Sequence, residues 1–267
     1  MRVASAIVCL ALWGAAYGLE VVWHHDTPCG SRGYPMATNF DGAGPLEVVV
    51  TTRFDGAVWV LGADGAPVTT LKQDYWVEGA VAETLRPGNV PLLAFQQSNG
   101  PLALLDSTQG LLFGAELSGD PRLGTSPCFI DLDGAGDPEV VCAYRSGILM
   151  ALTGQAMPLW QFDAGAPIDT MPAGAPIFRG QGAVYVLASD GRLHGLSGQG
   201  RPLWYFEMTH PAPAYPATSD PLVAQLAFTH PSVLVSDAAG WLYAVNAVNG
   251  EEEWRVHAGR SPLGSPA

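Results

Sequence analysis

SPCFIDLDGAGDPEVVCAYRSGILMALTGQAMPLWQF, residues 126–162, holds four short apolar segments separated by three turn sequences. The segments are SPCFID, EVVCAY, ILMALT and PLWQF; between them lie an acidic glycine loop, an RSG turn and a TGQAM turn. Apolar and β-branched runs of this length, bounded by Gly, Asp and Ser, are strands joined by hairpin connections. Four such strands in succession make one antiparallel meander.

The same unit recurs along the chain. Its clearest marker is the turn between second and third strands, ending at Gly56, Gly100, Gly147, Gly191 and Gly240. Successive glycines lie 44, 47, 44 and 49 residues apart. Each precedes an apolar third strand: AVWVLG, PLALLD, ILMALT, RLHGLS or WLYAVN. Second strands read EVVVTT, PLLAFQ, EVVCAY, AVYVLA and SVLVSD, and first strands fall at 35–39, 81–85, 126–131, 175–178 and 222–228. Trp160, Trp204 and Trp254 mark the outer strand, with Leu71 and Phe113 expected in the same place in the two earlier units. A four-stranded unit repeating every 40–50 residues or so is the pattern of β-propeller blades, because a lone sheet has two apolar faces that only stacking covers. The expectation is an all-β propeller of four-stranded antiparallel blades, with five recognisable blades between residues 35 and 258. Trp23 resembles the outer strand of a further blade without inner strands upstream, and 264–267 resemble an innermost strand. These partial terminal strands favour a truncated propeller of 6–8 blades over an open ring of five.

The chain of 267 residues is 48% hydrophobic and 14% charged, with 32 Gly and 22 Pro, a composition that suits short strands and turns. Residues 1–18 stand apart: Arg2, the apolar run 3–13 and the small-residue site Ala16-Tyr17-Gly18 form a signal-peptide pattern. The expected domains are therefore a signal peptide at 1–18 and a propeller at 19–267, in a secreted, periplasmic or extracellular protein. No stretch is apolar and long enough to span a bilayer. Net charge is −13, and −14 once Arg2 is removed, which disfavours nucleic acid and suits divalent cations or basic partners. Cys128 and Cys142 flank Ala135 symmetrically. Paired about that centre they face each other, as a cross-strand disulfide or as two buried thiols. Cys29 is left over.

Ala244-Val245-Asn246-Ala247-Val248-Asn249-Gly250-Glu251-Glu252-Glu253-Trp254 resembles the tryptophan-docking motif of pyrroloquinoline-quinone-like propeller repeats, Ala-x-Asp-x-x-Thr-Gly-x-x-x-Trp. That resemblance implies a Trp packed between neighbouring blades. Separately, DLDGAGDPEVV (131–141) and NFDGAGPLEVV (39–49) resemble the calcium-loop repeats of integrin-type FG-GAP/VCBS propellers. By this likeness the candidate Ca²⁺ ligands are Asp131, Asp133, Asp137 and Glu139 in one loop, and Asn39, Asp41 and Glu47 in the other. Ala43 and Ala135 replace a carboxylate at the fifth position, so each loop lacks one ligand of the family pattern. Asp and Asn in such loops also bond their own backbone, which is a turn-forming role without metal.

No catalytic residue is assigned. The chain has no Gly-x-Ser-x-Gly elbow, no phosphate loop and no His-Glu-x-x-His. Quinone dehydrogenases that resemble these repeats hold their cofactor partly with adjacent cysteines, which this sequence lacks, so pyrroloquinoline quinone is not expected. His24, His25, His194, His210, His230 and His257 show no metal-site spacing. Tyr75-Trp76, Tyr205-Phe206 and Trp241-Tyr243 suit packing between blades better than a binding face. The expected function is an exported, non-catalytic interaction module or scaffold for a protein or glycan, stiffened by calcium. The competing readings are a quinone-dependent or glycan-active enzyme, and the ectodomain of a surface adhesion protein or receptor.

Overall fold

A computed structural model describes residues 5–10, 21–27, 35–41, 44–52, 55–72, 77–86, 90–97, 102–106, 110–113, 126–178, 181–208, 219–226 and 229–259. All regular structure among them is β. The strands β1 (Ser5–Leu10) and β2 (Val21–Thr27) form a two-stranded sheet, and five four-stranded meanders follow in chain order. Blade 1 is β3 (Met36–Thr38), β4 (Glu47–Thr51), β5 (Ala57–Leu61) and β6 (Pro67–Lys72). Blade 2 is β7 (Val77–Arg86), β8 (Val90–Gln97), β9 (Ala103–Asp106) and β10 (Gly110–Phe113). Blade 3 is β11 (Cys128–Ile130), β12 (Glu139–Ala143), β13 (Ile148–Leu152) and β14 (Pro158–Asp163). Blade 4 is β15 (Ala173–Phe178), β16 (Gln181–Leu187), β17 (Arg192–Ser197) and β18 (Pro202–Glu207). Blade 5 is β19 (Leu222–Ala224), β20 (Ser232–Ser236), β21 (Trp241–Asn246) and β22 (Glu252–His257). The inner strands β7, β11, β15 and β19 neighbour one another in that order, so the sheets stack as propeller blades.

Successive strand residues point to opposite faces, and the cores follow that rule. In β12, Val140 and Cys142 pack against blade 2, whereas Val141 and Ala143 pack against blade 4. In β16, Val184 and Val186 face blade 3, and Ala183, Tyr185 and Leu187 face blade 5. Leu92 and Ala94 of β8 face blade 3, while Leu93 and Phe95 face blade 1. Second and third strands buried on both sides explain why these runs are continuously apolar rather than alternating.

Two turns repeat. The one between second and third strands closes at a left-handed glycine: Gly147 N–H donates to Tyr144 O, Gly191 to Ala188 O and Gly240 to Asp237 O. The one between third and fourth strands receives a tryptophan from the preceding blade. Trp160 Nε1–H donates to Gly198 O at 2.9 Å with its ring over Gly200, and Trp204 Nε1–H donates to Ala247 O at 3.2 Å with its ring over Gly250. Both glycines have φ of +75°, and a Cβ there would lie 2.5–2.7 Å from the indole. Glycine is thus required twice over, by backbone and by ring. Blade 3 carries Ala156 at the same turn place with φ +64°.

Strand register corrects the placing of Leu71 and Phe113. Each docking Trp lies opposite a third-strand residue, Ala151 for Trp160, Gly195 for Trp204 and Ala244 for Trp254, and a one-residue bulge follows. By that register the place falls to Thr69, opposite Val60, in blade 1, and to Leu112, opposite Leu104, in blade 2. Leu71 pairs with Val58 just as Phe162 pairs with Leu149.

The β1–β2 sheet shows the same signature: Cys9 lies opposite Trp23 and the register shifts immediately after it. Trp23 Nε1–H donates to Ala63 O at 2.9 Å, and its ring lies over Gly65 of blade 1. β1 and β2 are therefore third and fourth strands of a half-blade. Val21–Thr27 does have an upstream partner, contrary to expectation, and that partner comes from the segment read as a leader.

The cysteine pairing is corrected as well. Cys128 lies opposite Val141, because the hairpin is centred half a residue from Ala135. One residue of slip sends the two side chains to opposite faces. Cys128 faces blade 4, Cys142 faces blade 2, and both are free thiols. Burial pushes the Cys142 thiol up to about 12. Cys29 lies outside the described residues.

Candidate functional site

The connection between β11 and β12 brings Asp131, Asp133 and Glu139 together, with one carboxylate oxygen of each within 4.8 Å of the others. Among the described residues no other three His, Cys, Asp or Glu side chains converge so closely. Asp137 stays outside the group. The loop folds on its own acids: Asp131 accepts from Gly134 N–H at 2.7 Å and from Gly136 N–H at 3.0 Å, and Asp133 accepts from Ala135 N–H at 2.8 Å. Glu139 Oε2 accepts from Leu132 N–H at 2.8 Å. Burial holds the Glu139 carboxyl above its usual range against that backbone bond, and the charges of Asp133 and Asp131 push the same way.

Blade 1 repeats part of this arrangement. Glu47 Oε2 accepts from Phe40 N–H at 2.8 Å, the counterpart of the Glu139–Leu132 bond, and Glu47 is buried. Asn39 Oδ1 is buried without a hydrogen-bond partner, and Asp41 is exposed. Residues 42–43 lie outside the described ones, and Asn39, Asp41 and Glu47 offer two carboxylates against three in blade 3.

A hard cation with six to eight oxygen ligands suits the blade 3 loop in part. The loop supplies three carboxylates, each with one oxygen within 4.8 Å of the others. Ala135 contributes no side-chain oxygen. Burial, and beside it the charges of Asp133 and Asp131, raises the Glu139 carboxyl, and a bound cation would counter both.

The base of this loop is a joint between blades, which the sequence did not disclose. Leu132 is 2% exposed and belongs to the core shared by blades 3 and 4. Its carbonyl accepts from Gly182 N–H at 3.3 Å, and a Cβ added at Gly198 would lie 2.0 Å from that same oxygen. The acids are thus anchored to blade 4 as well as to blade 3. Leu132 had one legible signal, a lone apolar residue between two aspartates. Gly182 and Gly198 had none.

The histidines are dispersed. His24 is exposed, His25 lies 5.3 Å from Trp59 and His257 lies 5.0 Å from Trp241, while His210 falls outside the described residues. His230 joins a polar cluster in blade 5: its Nδ1 is 3.2 Å from Glu253 Oε1, and Glu253 Oε2 accepts from Ser232 Oγ–H at 2.6 Å. The carboxylate stands between hydroxyl and imidazole. Ser232 is fully buried beneath this cluster.

His194 packs edge-on against Phe162 at 5.4 Å across the blade 3–4 interface, with Nε2 buried and unpartnered. Burial lowers its pKa below the usual 6.5, Asp190 opposing and Arg192 reinforcing the shift. A folded-state value below the unfolded one means that the unfolded chain binds the proton more readily. The stabilisation is full above about pH 6.5 and is lost as pH falls toward the folded value. The melting temperature of the wild type is expected to drop on acidification from about pH 7 to pH 5.5, and His194→Gln to flatten that slope; parallel slopes in the two proteins contradict this.

The remaining aromatic candidates divide. Tyr205 is 64% exposed, with the Arg192 guanidinium 5.7 Å from its ring, whereas Phe206 and Tyr243 meet edge-to-face at 5.8 Å between blades 4 and 5. Tyr75-Trp76 lies outside the described residues. No helix among the described residues is long and apolar enough to cross a membrane.

No protein-family model matches the sequence, and no curated protein matches it either. Solved structures do. BamB from Moraxella catarrhalis is 18% identical, with a TM-score of 0.63 over 95% of this chain and 78% of that one. The Vibrio cholerae biofilm matrix protein Bap1 is 16% identical, with a TM-score of 0.64 over 88% of this chain and 41% of that one. A third match, BBS1N, was solved in complex with ARL6DN; it is 10% identical, with a TM-score of 0.61 over 93% of this chain and 73% of that one. Identities this low establish the β-propeller fold and nothing finer.

Proposed function

We propose that the chain is an exported, non-catalytic β-propeller that presents the rim carrying its first-to-second-strand loops to a protein partner, with Ca²⁺ stiffening the loop at Asp131, Asp133 and Glu139. The observation that carries the reading is the convergence of three carboxylates on a loop locked at its base to the next blade. Such a loop is a rigid, charged presentation surface, and a divalent cation is the ligand its oxygens suit. A structural neighbour solved as a complex with another protein is consistent with this use of the fold, as is one described as a biofilm matrix protein. The pattern of residues 1–18 supports export.

Added Ca²⁺ at millimolar concentration is expected to raise the melting temperature by a few degrees, since a ligand that binds only the folded state stabilises it by mass action. Asp133→Ala should abolish the rise while leaving the calcium-free melting within about 1 °C, because Asp133 is exposed. Identical melting of the wild type with Ca²⁺ and with a chelator would sink the cation assignment. For the partner, pull-down from the native exported fraction by wild type but not by Asp131→Asn/Asp133→Asn is the supporting result. Equal capture by both proteins would move the binding surface away from this rim.

A further inference from the structure

We propose that the inner edge of β2 is a strand-acceptor site, filled by β1 in the unprocessed chain and by an extended apolar strand of a partner protein after residues 1–18 are removed; this rests on the export reading above.

β2 is held in place without β1. Trp23 is docked on blade 1 through its bond to Ala63 O and its ring contact with Gly65, and the His25 ring lies against Trp59. These contacts come from the side chains of β2, whereas β1 meets it through the backbone ladder Ser5↔Thr27 to Leu10↔Val21. Removing β1 therefore strips one edge of an anchored strand. In blades 1, 3, 4 and 5 the fourth strand is outermost, and its inner edge is always paired to a third strand. The inner edge of β2 would be the exception, a row of unpaired N–H and C=O groups of the kind that recruits another chain.

What fits there is defined by what already sits there. β1 reads SAIVCL, and the third strands of blades 1, 3, 4 and 5 read AVWVL, ILMAL, RLHGLS and WLYAVN. All are antiparallel to the fourth strand, and the register shifts one residue after the partner of the Trp place. The acceptor selects an extended run of five or six mostly apolar residues, added antiparallel to β2 with that same bulge. Main-chain hydrogen bonds supply the affinity, and the alternate side chains supply the choice of partner.

The test uses the protein secreted through its own leader, with its intact mass determined first. Backbone hydrogen exchange over Val21–Thr27 is then followed with and without a peptide of residues 4–11, and with the same peptide carrying Val8→Pro. The native peptide is expected to slow the edge amides of β2 by about tenfold or more, and the proline peptide to leave them unchanged, because proline removes a ladder donor. A processed protein whose β2 amides are unaffected, or are protected before any peptide is added, overturns this proposal and leaves export standing. A mass that still includes residues 1–18 overturns both.

Discussion

Gly198→Ala is expected to lower the unfolding free energy by about 4 kcal/mol or more, or to leave no soluble protein, placing it among the largest single-substitution effects. An alanine Cβ at this position would sit 2.0 Å from the carbonyl oxygen of Leu132 and 3.1 Å from that of Gly182. Both obstacles are backbone, so no side-chain rotation makes room. The carbonyl of Gly198 itself accepts the Trp160 indole at 2.9 Å, so displacing this strand also pulls on the docked tryptophan. Gly136→Ala is the matched comparison. Its φ of +85° makes alanine unfavourable by about 1–2 kcal/mol, but nothing lies within 4 Å of the new methyl. Denaturant titration of the two variants should separate a clash between blades from ordinary backbone strain. Equal losses would show that the loop of blade 3 is not a fixed joint.

Trp204→Ala is the second large effect, at about 3 kcal/mol, the low end of the range for truncating a buried tryptophan because this ring is half-buried. The indole lies between two glycines, its cross-strand neighbour Gly195 and Gly250 of the next blade, and stacks on Tyr185 with ring centroids 5.7 Å apart. Truncation leaves a slot open on both sides and removes the bond to Ala247 O. Trp204→Phe should recover part of the loss, since it restores ring area but not the N–H donor. Measured by guanidinium unfolding, a Trp204→Ala change below about 1 kcal/mol would mean that the docking contact does not hold blades 4 and 5 together.

Much of the architecture was legible because blade-building is local chemistry. Gly147, Gly191 and Gly240 mark tight turns by residue type alone, and the apolar runs beside them need no partner to be recognised as strands. Register was not legible. Phe113 stands 13 residues after Gly100, as Trp160 does after Gly147, yet the β9–β10 ladder runs without the bulge seen in blade 3, so the place moves to Leu112; Leu71 lies two residues beyond Thr69, which the same count reaches. Cys128 and Cys142 failed for the same reason, half a residue in the hairpin centre being enough to exchange faces. The acidic site was legible as far as alternation reaches, at Asp131, Asp133 and Glu139. Its anchoring was not, since Leu132 meets Gly182 and Gly198 across a blade boundary and no short-range pattern reports such a contact. β1 was ambiguous for a different reason. An apolar run at the start of a chain reads equally as a leader and as a third strand.

Ala156 makes the blades unequal. Among the described residues three turns accept a tryptophan on a glycine; the turn of blade 3 carries a methyl group where the indole would lie, and the preceding outer strand offers Leu112 in the Trp place. The described seams are thus of two kinds, tryptophan on glycine and, between blades 2 and 3, the Leu112 place facing Ala156. A Trp-bearing strand shifted one position along the ring would meet a methyl at blade 3. Repeats that look interchangeable in sequence are in this way addressed, and the order of the blades is written partly into their seams.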